Sequence, residues 1–230
     1  MADLTLVIGN KNYSSWSMRP WLALKKTGQP FREEGILLRQ DETKGQILRH
    51  SPSGKVPVLH HGEVVAWESL AICEYLAEVF PAAGLWPAGP AARAHARAIC
   101  SEMHAGFQRL RENLPMDVTR DRSRESRAHL VRDEIERIAA IWTEARVRWG
   151  ARAKGGGSFL YGDFSNADAM YAPVVTRFRT YGIVLDEVCN RYMGAVLEWP
   201  AFKEWEAGAL GEAAVIEFDV FRRPREGLPR

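Results

Sequence analysis

The chain has 230 residues, of which 46% are hydrophobic and 26% are charged, and its 31 basic and 29 acidic side chains give a net charge of +2. This composition is typical of a globular protein with one large or two small domains, and it excludes an intrinsically disordered chain. The near-neutral balance offers no whole-chain argument for nucleic-acid binding, which needs an excess of cations on one face. The sequence also has no uninterrupted apolar stretch of about 20 residues, so no membrane span is predicted.

The cysteines and the N-terminus indicate where the protein works. Cys73, Cys100 and Cys189 are widely spaced and form no CxxC pair, which favours free thiols in a reducing compartment over disulfides or zinc ligation. Residues 1–4 lack the basic segment that begins a signal peptide, and no long apolar core follows them. We therefore expect a cytoplasmic protein.

The first 80 residues alternate strand and helix signals in the order β-α-β-α-β-β-α. The predicted strands cover residues 4–8, 31–38, 56–60 and 64–67, and the predicted helices cover residues 16–26, 41–48 and 69–80. Gly28 is expected to end the first helix, and His61-Gly62 predicts the turn of a hairpin. No other cluster of histidines or carboxylates accompanies His60 and His61, so no metal site is expected.

The rest of the chain has a different pattern. Residues 81–90 are rich in proline, glycine and alanine and predict a linker, after which strand signals almost vanish. Residues 91–114 and 123–149 favour long helices, and Ser165 with Asp168 predicts a capping box that begins another. We therefore expect an α/β domain at residues 1–81 followed by an all-helical bundle domain at residues 91–230.

Three serines mark the junction of the first strand and the first helix. Ser14, Ser15 and Ser17 lie where a helix N-terminus offers free N–H groups and a partial positive charge, which stabilise an anion such as a thiolate. Pro20 is best tolerated if Ser17 caps the helix, which leaves Ser14 and Ser15 as spare hydroxyls. An irregular first turn would reverse that assignment, so the capping residue stays open.

Two further motifs lie at element junctions. Pro57 begins an otherwise good strand, and it fits either as a trans proline on an edge strand or with a cis Val56–Pro57 bond. A cis bond would turn the backbone of Val56 outward to pair with an extended peptide. Glu68 and Ser69 provide a carboxylate, a hydroxyl and helix N–H groups that suit an amino-acid head group, although ordinary capping by Ser69 is the alternative.

Taken together and in this order, the motifs resemble the glutathione transferase family. Residues 1–80 are similar to its thioredoxin-like domain, and the helical remainder is similar to its second domain. The segment Ser14-Ser15-Trp16-Ser17-Met18-Arg19 resembles the Ser-Ser-Cys-Ser-x-Arg signature of the zeta class, which includes maleylacetoacetate isomerases. The other matching motifs are Val56-Pro57, similar to the family's cis-proline, Glu68-Ser69, similar to its γ-glutamyl pair, and residues 159–168, similar to its N-capping motif.

The resemblance implies glutathione as the co-substrate, no metal, and a homodimer. Ser14 would be the catalytic hydroxyl that stabilises the glutathione thiolate, with Ser15 as its nearest competitor. The other glutathione-binding residues that the resemblance implies are Lys55 for the glycyl carboxylate, Val56 with Pro57 for the cysteinyl backbone, and Glu68 with Ser69 for the γ-glutamyl end.

The second-substrate pocket is less well defined by the sequence. Met103, Phe107 and Leu110 would share one helix face, as an apolar electrophile wall or as core. Arg177 matches an arginine that the zeta class is thought to use on substrate carboxylates, and a buried structural role is the alternative. Trp16 stands where the zeta signature has cysteine, and its larger ring would reshape the pocket.

Three functions follow as hypotheses. The first is a glutathione transferase in which a serine hydroxyl activates the thiolate for attack on a small apolar electrophile. The second is a glutathione-dependent cis–trans isomerase of the maleylacetoacetate type. The third is a non-catalytic scaffold that keeps the fold and binds a protein partner. No nucleic-acid or membrane partner is expected, and the sequence does not identify the second substrate.

Overall fold

The structure is a computed structural model that describes residues 3–153 and 156–222. Residues 223–230, at the end of the predicted second domain, lie outside the described residues. Within the described ranges, no helix is both long and apolar enough to cross a membrane.

The N-terminal unit has the predicted order of strands and helices. Its elements are β1 (Leu4–Gly9), α1 (Ser15–Thr27), β2 (Arg32–Ile36), α2 (Thr43–Leu48), β3 (Val58–His61), β4 (Val64–Trp67) and α3 (Ser69–Val79). The sheet has the strand order β2-β1-β3-β4, in which β1 runs parallel to β2 and antiparallel to β3, and β3 runs antiparallel to β4. All six residues of β1 are buried, as expected for a central strand covered on both faces. The thioredoxin-like α/β prediction is confirmed.

The second part of the described chain is helical. Its helices are α4 (Pro90–Ala105), α5 (Gln108–Asn113), α6 (Arg132–Arg148), α7 (Asn166–Thr180), α8 (Glu187–Glu198), α9 (Pro200–Leu210) and α10 (Asp219–Arg222). Helix α7 is buried along almost its whole length because it packs against both α1 and α4. Asn166, at its first position, donates its side-chain N–H to the carbonyl of Cys73 in α3, so the two parts share one continuous core.

Both long helices predicted for this part are shorter than expected. The first breaks after α4, where Phe107 takes a left-handed backbone conformation with φ 56° and an added Cβ on Gly106 would lie 2.8 Å from a carbonyl oxygen. The second begins only at Arg132, because the polar segment before it has few apolar side chains to bury. That segment instead forms short 3₁₀ turns, and Arg122 binds the buried Asp117.

Candidate functional site

The turn between β1 and α1 places the serines. The backbone N–H groups of Tyr13 and Ser14 both donate to the carbonyl of Asn10, so the chain reverses tightly before the helix. Ser14 is the N-cap of α1: its Oγ accepts a long hydrogen bond from Ser17 N at 3.4 Å and donates to Ser17 Oγ at 2.8 Å. Ser17 Oγ in turn accepts from Gly9 N at 3.0 Å. These contacts fix the Ser14 side chain at the N-terminus of α1.

The preference for Ser17 as the cap is therefore wrong. That argument assumed that Pro20 must fall within the first helical turn, but Pro20 lies inside α1. Contacts between Ser14, Ser17 and Gly9 hold the first turn in place with Ser14 as the cap, although Pro20 then lies beyond that turn. Ser15 begins the helix and is buried like Ser14, and both line the same cavity.

The start of α1 also offers an unused donor. Among the described residues, the backbone N–H of Trp16 has no hydrogen-bond partner. It belongs to the group of N–H donors that a helix N-terminus leaves free and that favour an anion. A thiolate near Ser14 and Ser15 would therefore meet hydroxyl and amide donors together.

The C-terminal helical part holds this turn in place. Asn12 Oδ1 accepts from the backbone N–H of Val118 at 2.7 Å, and Asn12 Nδ2 donates to Asp117 at 3.2 Å. The carboxylate of Glu212 accepts the backbone N–H groups of Lys11 and Asn12. These contacts span more than 100 positions of sequence, which is why no local pattern signalled them.

Glu68 and Ser69 form the start of α3. Glu68 is the N-cap, not Ser69 as predicted, and its φ of 81° is a conformation that non-glycine residues rarely adopt. The Ser69 hydroxyl is fully buried and has no partner within the described chain. Glu68 Oε2 lies 3.1 Å from His104 Nε2 of α4, a contact that the sequence did not predict. A polar ligand with an ammonium and a carboxylate suits these groups.

The backbone before β3 is open to an extended ligand. The Val56–Pro57 bond is cis, and neither the N–H nor the C=O of Val56 bonds to any residue that the structure describes. Lys55 is exposed beside it. These residues border the same end of the sheet as the α1 turn, because β1 and β3 are neighbours and Val7 pairs with Val58.

A cavity of about 820 Å³ adjoins the serines. Its cationic lining residues come from four separate parts of the chain and are Arg39, Arg111, Arg127 and Arg177. The acidic lining residues are Glu112 and Asp219, so the positive charges outnumber the negative ones by two. This cavity differs from the apolar electrophile pocket expected from the sequence.

The predicted apolar wall lies elsewhere. Met103, Phe107 and Leu110 are buried in the core, and none of them lines the cavity beside the serines. The break between α4 and α5 removes the single helix face that the prediction required. Core packing, the alternative reading of these three residues, is what the structure shows.

Arg177 has the buried structural position that was the alternative, and it also lines the cavity. It is almost fully buried, and its Nε and Nη1 donate to the carbonyls of Leu114 at 2.8 Å and Pro173 at 3.0 Å. Burial, reinforced by the nearby charge of Arg111, lowers its pKa to about 10 and leaves it protonated at neutral pH. The Arg177 side chain therefore connects α7 to the carbonyl of Leu114 by a hydrogen bond, and it also lines the cavity.

Trp16 links the two ends of the site. Its ring lies 4.1 Å from the guanidinium carbon of Arg19 and 5.4 Å from that of Arg111, so it is flanked by two cations. The ring of His104 meets it edge-on at 5.3 Å. A cysteine at this position would make none of these ring contacts, so the departure from the zeta signature changes the middle of the site.

Part of the chain is similar in sequence to known proteins. Residues 13–79 match the family model described as "Glutathione S-transferase, N-terminal domain". The chain is 40% identical to a probable maleylacetoacetate isomerase of Caenorhabditis elegans over 96 residues, which cover 42% of this chain and 44% of that protein. It is 39% identical to a maleylacetoacetate isomerase of Rhizobium meliloti over 87 residues, which cover 37% of this chain and 41% of that protein. The chain thus matches less than half the length of either relative.

A solved structure extends the similarity of fold to most of the chain. A glutathione transferase homologue from Burkholderia, crystallised with bound glutathione, superposes with a TM-score of 0.66 and 24% identity over 91% of this chain and 99% of that one. At 24% identity this comparison shows only that the fold is similar. The family model shows a sequence similarity that is limited to residues 13–79, in the N-terminal domain. Residues 13–79 therefore match the N-terminal domain of glutathione S-transferases, and the chain as a whole has the fold of a glutathione transferase homologue.

Proposed function

We propose that the protein is a glutathione transferase that ionises the glutathione thiol at the start of α1 and presents it to an electrophile carrying a carboxylate. The observation that carries this proposal is one cavity lined both by Ser14 and Ser15 and by four arginines. Ser14 is the proposed hydroxyl donor, because a thiolate is a stronger hydrogen-bond acceptor than the Ser17 hydroxyl, which accepts the Ser14 hydrogen bond in the structure. Ser15 is the alternative donor.

The rest of glutathione would extend from the serines to α3. Val56 would pair with the cysteinyl backbone, and Lys55 would approach the glycyl carboxylate. At the γ-glutamyl end, the carboxylate would meet the unpartnered hydroxyl of Ser69, and the ammonium would meet Glu68. These roles come from the family resemblance and are compatible with the unused donors and acceptors described above.

The electrophile would occupy the arginine-lined cavity. Its carboxylate would be held by Arg111 and Arg177, which places the reacting carbon beside the thiolate and makes the encounter effectively intramolecular. In a substitution, the sulfur–carbon bond forms as the leaving group departs with its electron pair. A homodimer and a cytoplasmic location stay predictions.

An isomerase is the second candidate. The observation that favours it is the paired cationic lining of Arg111 and Arg177, which suits a dicarboxylate, together with the similarity of the chain to two maleylacetoacetate isomerases, one of them assigned as probable. In that reaction the thiolate adds to a conjugated double bond, rotation follows, and elimination restores the thiolate. Trp16 in place of cysteine keeps this candidate second.

The carboxylate preference is tested by replacing Arg111 with methionine. We expect the KM for 4-chloro-3-nitrobenzoate to rise about tenfold, because one charge-assisted hydrogen bond is lost. The KM for its methyl ester should change less than about threefold. Arg109→Met is the matched control, since Arg109 lies on the same helix but binds Asp133 and does not line the cavity. Equal losses with acid and ester would contradict the assignment.

A further inference from the structure

Arg19 is a buried charge without a hydrogen-bond partner. Its side chain is fully buried, and none of its three guanidinium nitrogens has a partner within the described part of the chain. Native proteins pair nearly all buried polar groups, and an unpaired buried charge is among the costliest arrangements. An arginine in this position therefore calls for an explanation other than stability.

The surroundings of Arg19 increase that cost. Burial first, and then the charges of Arg177 on α7 and Arg111 on α5, lower its pKa to about 9, so the group is still protonated at neutral pH. The groups that favour its charge are Cys73 of α3 and Glu68, and Glu68 also contacts His104 of α4. Burial raises the pKa of Cys73 to about 12, so that thiol is neutral and only Glu68 supplies an opposing charge.

The position of Arg19 limits what its charge can do. The Trp16 ring covers the guanidinium at 4.1 Å, and Arg19 does not line the serine cavity, so a ligand there does not touch it. The charge of Arg19 can therefore act on the ligand only through its electric field. Buried surroundings screen this field much less than water does. Arg19 lies five residues after Ser14 on the same α1, a rise of about 7.5 Å along the axis.

The thiol is the group on which this field has the greatest chemical effect. The two carboxylates of glutathione are ionised at any physiological pH, whereas a thiol with a pKa near 8.5 changes its charge close to neutrality. By Coulomb's law, any positive charge about 8 to 10 Å from a thiol, at an effective dielectric constant of about 20, favours the thiolate by about one pKa unit.

We propose that Arg19 is a positioning residue whose buried charge, fixed beneath Trp16, stabilises the thiolate of bound glutathione. The inference rests on the proposed function, because it requires glutathione at the start of α1. It adds to the serine donors a charge that makes no contact with the ligand. The protein keeps this charge at the expense of its own stability.

The test replaces Arg19 with methionine and titrates the thiolate absorbance of bound glutathione near 240 nm. We expect the thiol pKa to rise by about one unit, while the affinity for S-methylglutathione, which has no ionisable sulfur, changes less than about threefold. The melting temperature should stay equal or rise, because a costly unpaired charge is removed. Met18→Leu is the matched control, since Met18 is the neighbouring, fully buried and uncharged residue of α1.

Each other outcome decides against the inference. An unchanged thiol pKa in Arg19→Met, or a thiol pKa shifted equally in Met18→Leu, would overturn it. An equal loss of affinity for glutathione and S-methylglutathione would show that the charge holds the whole ligand. An Arg19→Met protein that fails to fold would show that the arginine is structural. A wild-type protein without a thiolate band would instead overturn the proposed function itself.

Discussion

Replacing Ser14 with alanine is expected to lower kcat/KM for glutathione conjugation by about 5- to 50-fold near pH 6.5. The hydroxyl would donate a charge-assisted hydrogen bond to the thiolate, and its loss corresponds to about 1–2 units of thiol pKa. The protonated thiol is a poor nucleophile, so the loss should shrink as the pH is raised above about 9, where the thiol ionises without help. A pH profile of kcat/KM measures both effects.

Two controls separate the hydroxyl from the helix cap. Ser14 also caps α1, so its removal costs about 1 kcal/mol of stability in addition to the donor. Ser14→Thr keeps both the cap and the hydroxyl and should retain most of the activity. Ser15→Ala removes the other cavity-lining hydroxyl and should lose much less than Ser14→Ala. The reverse ranking of the two alanine variants would assign the thiolate to Ser15.

Replacing Asp168 with alanine is expected to destabilise the protein by about 3–5 kcal/mol, measured by urea unfolding. Asp168 is fully buried and accepts from Leu160 N at 3.0 Å, from Ser165 N at 2.8 Å and from Ser165 Oγ at 2.9 Å. The substitution leaves these buried donors without an acceptor, at about 1–3 kcal/mol each. Asp163→Ala, an exposed carboxylate in the same loop, should change the stability little.

The effect of Asp168 on the stability of the protein should depend on pH. Burial raises the pKa of Asp168 to about 6, although its hydrogen bonds oppose the shift. Between about pH 4 and pH 6 the folded protein therefore holds a proton that the unfolded chain has released. This stabilising contribution is complete below about pH 4 and is lost as the pH rises through 6. The destabilisation by Asp168→Ala should accordingly be larger at pH 5 than at pH 7, and the opposite trend would contradict the raised pKa.

The sequence predicted what is encoded locally. The order of the first seven elements, Gly28 as the left-handed end of α1, and the capping box of Ser165 and Asp168 all follow from short-range patterns, and the structure confirms them. The long helices of the second part were overextended because a favourable composition does not reveal a backbone break. That break depends on the left-handed conformation of Phe107, which no local propensity indicates.

The candidate site was predicted only in part, because local sequence patterns do not record which distant residues come together in the folded chain. The sequence proposed Ser14 and Glu68 as site residues because each lies at an element junction with its own motif. The cationic cavity was missed because its arginines lie far apart in the sequence and converge only after the helices pack. Arg19 belonged to the recognised signature, yet its lack of partners is a property of the packed core that no sequence pattern records.

The most direct test of the central claim is an ultraviolet difference titration of glutathione bound to the wild-type protein. If the start of α1 stabilises the thiolate, the bound thiol should titrate with a pKa of about 6.5, about two units below the value of a free thiol. A bound thiol with a pKa of about 8.5 or higher would contradict the account. Absence of glutathione binding at millimolar concentration would favour the non-catalytic scaffold.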